Sequence, residues 1–218
     1  MPLLLYLFAG TGSIATAFWA QGVELISVDV NPEARATLHM HVRELKPEMV
    51  GQPDLIWASP VCTEYSRART TAKTPRDLAW ADSLVQAVLD LARELRCPTM
   101  FENPESGLLR HRPIVEGIPY RVIDYCKYAD NRFTHTARKR TAIWCIKADW
   151  KPTRPLCKHD CGFCTGKRRN ETAQHGPARQ GQRRHTLNEL YAMPPPLCEE
   201  IEARTSFTMF SAQQRPSL

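Results

Sequence analysis

Apolar residues in this chain cluster in short runs, each stopped by glycine, proline or an acidic side chain. Pro2 to Phe8, continuously hydrophobic from Leu3, reads as a buried strand. It breaks into Ala9-Gly10-Thr11-Gly12-Ser13, and an apolar, helix-like segment follows from Ile14 to Ala20. Glu24 to Val28 reads as a second strand ending in Asp29, and the spacing predicts a helix from Pro32 to about Arg43. Leu55-Ile56-Trp57-Ala58 is a third strand that stops at Ser59-Pro60, with Cys62 two residues beyond. Leu78 to Leu95 carries a helical stripe (Leu84, Val88, Leu91, Leu95). Short strands follow at Pro98–Phe101, running into Glu102-Asn103-Pro104, then at Tyr120–Tyr125 and Thr141–Ile146. Strands alternating with helices predict an α/β fold with a mostly parallel, Rossmann-like sheet and functional residues along its carboxyl edge.

That edge collects chemistry. Glycines at the first turn let the backbone approach a nucleotide-type cofactor closely, and an acidic residue at the tip of the second strand suits two ribose hydroxyls. Asp29 or Asn31 would equally serve as an N-cap. A thiol thrown out after a proline-stiffened turn becomes a nucleophile if its pKa is lowered, and Arg67 and Arg69 lie within one loop of Cys62. Arg67 to Arg76 has no apolar period and reads as an exposed loop.

Composition narrows the setting without deciding it. The 218 residues suffice for one α/β domain with a small appendage. The net charge of +6 suits an anionic partner. Eight cysteines, several in apolar runs, with no secretory signal or membrane span, predict reduced thiols in a cytoplasmic protein. Beyond about Trp150 the texture changes: residues 151–184 are basic and rich in Gly, Pro and Cys, with few apolar residues for a core. Cys157, Cys161 and Cys164 have metal-ligand spacing and would make a structural Cys3His zinc site with His175; His159 and Cys198 are rival fourth ligands. The expected organisation is a catalytic domain over 1–150, a basic Cys-rich insert over 151–184, a returning helix over 185–204 and a tail over 205–218.

Several stretches, in this order and spacing, resemble the cytosine-C5 DNA methyltransferases. Phe8-Ala9-Gly10-Thr11-Gly12 is similar to that family's cofactor turn, and Ser59-Pro60-Val61-Cys62-Thr63-Glu64-Tyr65-Ser66 to its nucleophile loop. Phe101-Glu102-Asn103-Pro104 and Thr136-Ala137-Arg138-Lys139-Arg140 match two further motifs. Arg184 to Glu189 and Pro194 to Ile201 match its closing segments more loosely. The resemblance implies a class I methyltransferase fold that binds S-adenosylmethionine through Phe8, Ala9, Gly10, Thr11, Gly12, Asp29 and Pro60. It implies Cys62 as the thiolate that adds to cytosine C6, Glu102 at the Watson–Crick edge, and Arg140 with Arg138 on the base carbonyl. DNA is the implied partner of a monomeric enzyme, with the cytosine flipped out of the duplex and the Thr63–Arg76 loop closing over it on phosphates. Val61 and Thr63 depart from the family's Pro and Gln. The region between the arginine motif and the last helix is too short for a sizeable target-recognition domain, so a short or relaxed sequence preference is expected, as in a small phage or solitary enzyme acting in a bacterial or phage-infected cell. The same thiol chemistry on RNA or a free pyrimidine nucleotide, and a non-catalytic DNA-binding module, remain alternatives.

Overall fold

The computed structural model describes residues 1–69, 72–130, 138–162, 164 and 191–205. Seven strands form one sheet: β1 (Leu3–Leu7), β2 (Glu24–Asp29), β3 (Leu38–His39), β4 (Leu55–Ala58), β5 (Thr99–Pro104), β6 (Tyr120–Asp124) and β7 (Arg140–Ile146). Their order is β3-β2-β1-β4-β5-β7-β6. The pairs among β1 to β5 are all parallel, and β7 runs antiparallel to both β5 and β6. The order reverses direction at β1, so the crevice beyond the carboxyl ends of β1 and β4 is the switch point where such sheets bind ligands.

Alternation along the strands fills two cores. Leu4, Tyr6, Leu55, Trp57, Met100 and Ile143 face one way, packing with α1 (Ser13–Trp19) and α3 (Pro195–Arg204) through Ile14, Phe18, Leu197 and Ile201. Leu5, Leu7, Ile56, Ala58, Phe101 and Trp144 face the other way, onto α2 (Leu78–Glu94) through Leu84, Val85, Val88 and Leu91. Burial on both faces is why these strands read as unbroken hydrophobic runs. Phe101 and Trp144 stack at 5.2 Å across the β5–β7 pair. The last helix thus docks on its own sheet. Its Glu200 also accepts from the Tyr128 hydroxyl at 3.2 Å and the Thr153 amide at 3.1 Å, tying residues beyond Trp150 to this helical layer.

The expected helix from Pro32 to Arg43 is absent. Residues 34–40 alternate instead, with Ala34, Ala36, Leu38 and Met40 half-buried and Arg35, Thr37 and His39 exposed. That period of two suits an extended chain. Ser27 and Thr37 exchange hydrogen bonds (Thr37 amide to Ser27 Oγ, 2.9 Å; Ser27 amide to Thr37 Oγ1, 3.2 Å), and β3 adds to the sheet edge beside β2. Among the described residues no helix is long and apolar enough to cross a membrane.

Candidate active site

Strand register brings the predicted residues together. Leu7 pairs with both Val28 and Ala58, and Ala58 pairs with Phe101. One residue further along each strand, Phe8, Asp29, Ser59 and Glu102 therefore form a row across four neighbouring strands. At about 4.8 Å per strand, Asp29 and Glu102 stand about 14 Å apart across the crevice.

The first turn is shaped for close approach. Phe8, Gly10 and Gly12 all have left-handed backbone, with φ of 59°, 46° and 70°, and Gly12 caps α1. A side chain at Phe8 in this region is strained and is held there by the surrounding turn. A Cβ on Gly12 would meet nothing within 4 Å, so the glycine serves its backbone conformation and leaves open space before α1. Asp29 accepts from the Gly10 amide through Oδ2 and from the Asn31 amide through Oδ1, both at 2.8 Å. It braces the glycine turn while each carboxylate oxygen keeps a lone pair.

Cys62 follows β4 through the Ser59-Pro60-Val61 turn. Asn103 donates through Nδ2 to the Pro60 carbonyl at 3.0 Å in a buried bond, which ties the cysteine loop to β5. Tyr65, wholly buried, anchors its other end. The Tyr65 hydroxyl donates to Asp82 Oδ1 at 2.8 Å, and Arg112 binds Asp82 through Nε and Nη2 at 3.0 and 2.6 Å. The loop beyond is more ordered by its own contacts than its sequence suggests. Arg69 pairs with Glu64 at 3.2 Å and donates to Thr74, and Arg76 donates to the Glu64 and Ser66 carbonyls. Arg69 and Arg76, expected to reach phosphates, bond within the loop here, whereas Arg67 and Lys73 are exposed.

Glu102 is buried, and its Oε2 has no hydrogen-bond partner among the described residues. Burial raises its pKa above the ordinary carboxyl value, opposed by Lys139 and by a hydrogen bond from Ser59. Burial also pushes the Cys62 thiol up, the Glu102 charge adds to this, and Lys139 opposes it. Among the described residues the cation that opposes both shifts is Lys139, not Arg67 or Arg69. Strand alternation explains the choice. Glu102 pairs with Ile143, so Thr141 and Lys139 share its face, and Lys139 Nζ lies 4.7 Å above the Tyr125 ring. Arg140 takes the opposite face, where Asp124 holds its Nε and Nη2 at 2.9 and 3.0 Å. Arg138 Nε lies 4.0 Å from the same carboxylate. Both arginines, expected on the base carbonyl, are thus directed to Asp124.

The residues missed from sequence are Lys139, Asn103, Asp124, Tyr191 and Cys126. Asp124 carried the same signal as Glu102, a polar side chain at a strand's carboxyl end. The Tyr191 phenol pKa is raised first by partial burial and then by the nearby Cys62 charge, so the returning chain passes close to Cys62. Met193 donates from its amide to Ser13 Oγ at 3.1 Å beside the glycine turn. Among the cysteines, the Cys126 sulfur joins those of Cys157, Cys161 and Cys164 in a group able to hold a metal, all within 4.8 Å of one another. The rival Cys198 is buried in the core against α1, and His175 lies outside the described residues, as do Thr136, Ala137, Arg184 to Glu189 and most of the 151–184 insert.

The sheet order and edge site define a Rossmann-like class I methyltransferase fold. A protein described as a DNA modification methyltransferase encoded within an E. coli prophage superposes with a TM-score of 0.51 and 15% identity, over 69% of this chain and 49% of that one. A Spodoptera frugiperda DNMT2 mutant gives a TM-score of 0.45 and 16% identity over 72% of this chain and 54% of that one. The chain thus spans about half the length of these solved structures. No family model matches it. In sequence it is 27% identical, over 222 residues, to the "Probable DNA (cytosine-5)-methyltransferase" of Frog virus 3 (isolate Goorha), covering 91% of this chain and 97% of that protein. The similarity to cytosine-C5 DNA methyltransferases is therefore carried both by the ordered motifs and by a relative of nearly equal length.

Proposed function

We propose that the protein transfers a methyl group to C5 of cytosine in DNA through a transient bond between Cys62 and C6. The observation that carries this reading is the unpartnered, buried Glu102 Oε2 level with the loop that presents Cys62. A buried carboxyl oxygen without a partner costs stability unless a ligand completes it. Cytosine offers the complement: N3 and the exocyclic amine side by side on one edge.

The raised pKa favours a neutral Glu102 that donates to N3, while its other oxygen accepts from the amine. As the Cys62 thiolate adds at C6, electron density moves from the C5–C6 bond toward N3, and Glu102 stabilises it there. C5 becomes nucleophilic and takes the methyl group; a base then removes the C5 proton, the C6–S bond breaks, and Cys62 leaves as thiolate as the ring is restored. Lys139 favours the thiolate electrostatically, offsetting the burial that keeps the thiol neutral in the free protein. Arg140 and Arg138 act as positioning residues: held on Asp124, they fix the lead into β7 that carries Lys139.

S-adenosylmethionine fits the other half of the crevice and would supply the methyl group. Gly12 leaves open space beside the turn, Asp29 retains lone pairs for ribose hydroxyls, and Phe8 to Gly12 with Pro60 would hold the cofactor. The target carbons are stacked within a duplex, so the base must be flipped to reach Cys62. Arg67, Lys73 and the net positive charge suit phosphates. The short 151–184 insert leaves few side chains for reading base edges, which supports a short or relaxed recognition sequence.

Mechanism-based trapping tests the reading. The protein is incubated with S-adenosylmethionine and DNA carrying 5-fluorocytosine at varied sites, and a denaturation-resistant adduct is sought. An adduct absent in Cys62→Ser is the expected result. No adduct on DNA despite cofactor binding would redirect the assignment to RNA or nucleotide substrates; no cofactor binding would favour a non-catalytic DNA-binding module.

A further inference from the structure

We propose that Cys126, Cys157, Cys161 and Cys164 bind one Zn2+ tetrahedrally and that this ion fastens the Cys-rich segment to the catalytic sheet. Three of the ligands come from one loop, but Cys126 belongs to the 3-10 turn Tyr125–Tyr128 that directly follows β6. A metal here would therefore bridge the insert and the sheet rather than staple the insert to itself.

The geometry suits a thiolate site. The sulfurs of Cys157 and Cys164 are 3.6 Å apart, and those of Cys161 and Cys164 are 3.3 Å apart. Four sulfurs about 2.3 Å from a central ion would stand about 3.8 Å from one another. The observed separations are near that value and well beyond the roughly 2.0 Å of a disulfide. Backbone amides point at the sulfurs: His159 N donates to Cys157 Sγ and Cys164 N to Cys161 Sγ, both at 3.3 Å. Left-handed residues make the tight bends that allow this, His159 at φ 67° and Gly162 at φ 76°. Such amide donors are the outer contacts that a metal-bound sulfur takes. An all-sulfur tetrahedral set of this kind is soft and redox-inert when filled by zinc.

Paired charges surround the cluster and tie it to the sheet. Lys127 adjoins Cys126 and pairs with Asp160 at 2.7 Å, while the Cys157 amide donates to Asp124 Oδ2 at 2.9 Å. Asp124 thereby joins the cluster to Arg140. His159 makes a second link: its Nδ1 lies 3.7 Å from Cys164 Sγ and its Nε2 lies 3.4 Å from Arg138 Nη1. With the cysteines ionised, Nδ1–H donates to sulfur and Nε2 accepts from Arg138. His159 is then an outer partner rather than a ligand, and the metal orders the Arg138-Lys139-Arg140 lead on which the position of Lys139 depends.

The test uses the full-length reduced protein and does not depend on methyl transfer. One zinc per chain is expected by elemental analysis. Cobalt substitution should give the intense charge-transfer and tetrahedral visible bands of four thiolates. Cys126→Ser should change that spectrum to the three-thiolate type and weaken zinc at least tenfold in chelator competition, whereas His159→Ala and His175→Ala should keep the four-thiolate spectrum. Should Cys126→Ser fail to fold, alkylation of the unaltered chain read by mass spectrometry decides the same point, with zinc protecting Cys126 together with the other three. The proposal is overturned by a chain that binds no stoichiometric metal, by disulfides among these cysteines in the reduced preparation, or by a spectrum that changes in a histidine variant and not in Cys126→Ser.

Discussion

Glu102→Gln separates stability from activity at the candidate site. In the folded chain burial lifts the carboxyl above its ordinary pKa of 4.5, so the folded state holds this proton to higher pH than the unfolded chain does. The associated stability is fully present below pH 4.5 and is lost as pH rises through the raised value. The ionised group then lies buried with Oε2 unpartnered, at a cost of about 1–3 kcal/mol. Gln has nearly the same shape and no charge, so it removes the penalty at high pH and changes little near pH 4.5. For a chain of this size 1 kcal/mol moves the melting temperature by about 2–4 °C. Glu102→Gln should therefore melt about 2–12 °C above the unaltered protein at pH 8, with the difference closing toward pH 4.5. Its methyl transfer should fall by about 10²- to 10⁴-fold, because the amide cannot release a proton to N3. Thermal unfolding followed across pH 4.5–8, beside single-turnover methylation, reads both effects. A variant less stable than its parent at pH 8, or an offset constant with pH, would show that the carboxylate is already satisfied in the native state and would refute the reasoning.

Three further outcomes follow from the contacts around Cys62. Lys139→Met should slow iodoacetamide alkylation of Cys62 at pH 8, since the cation favours the thiolate, while Lys139→Arg should keep most of the rate; the alkylation rate should rise with pH through and above the ordinary thiol value of 9.0. Asn103→Ala removes the buried bond to Pro60 and should cost about 1–3 kcal/mol in denaturant unfolding, with kcat falling more than the KM for DNA because the loop is mispositioned rather than its surface altered. Tyr65→Phe should cost only about 1 kcal/mol, because Arg112 still satisfies Asp82; Asp82→Ala should cost more, because it strands the buried Tyr65 hydroxyl, and comparing the two unfolding midpoints checks the order.

Much of this fold was legible because its strands are buried on both sides. Hydrophobic runs at Leu3–Phe8 and Leu55–Ala58 have few other readings, and the turns that end them announce themselves by glycine and proline. The stretch from Pro32 to Arg43 shows the limit. Its alanines and arginines favour helix locally, but pairing with β2 and the Ser27–Thr37 exchange override that weak preference. The arginines after Cys62 show another: charge is visible in sequence, yet whether Arg69 meets a phosphate or Glu64 depends on where the loop turns.

Outside residues 32–43, sequence alone determined where strands and helices form and break and which chemical groups, Cys62, Glu102 and Asp29, fall at strand ends, because these follow from local patterning. Tertiary structure alone decided which groups meet. The β5–β7 register turned Lys139 toward Glu102 and Arg140 toward Asp124, and a turn 31 residues before Cys157 delivered Cys126 to the sulfur cluster. A shift of one residue in an antiparallel pair exchanges the faces of every side chain, and no local pattern around Arg138-Lys139-Arg140 records that register.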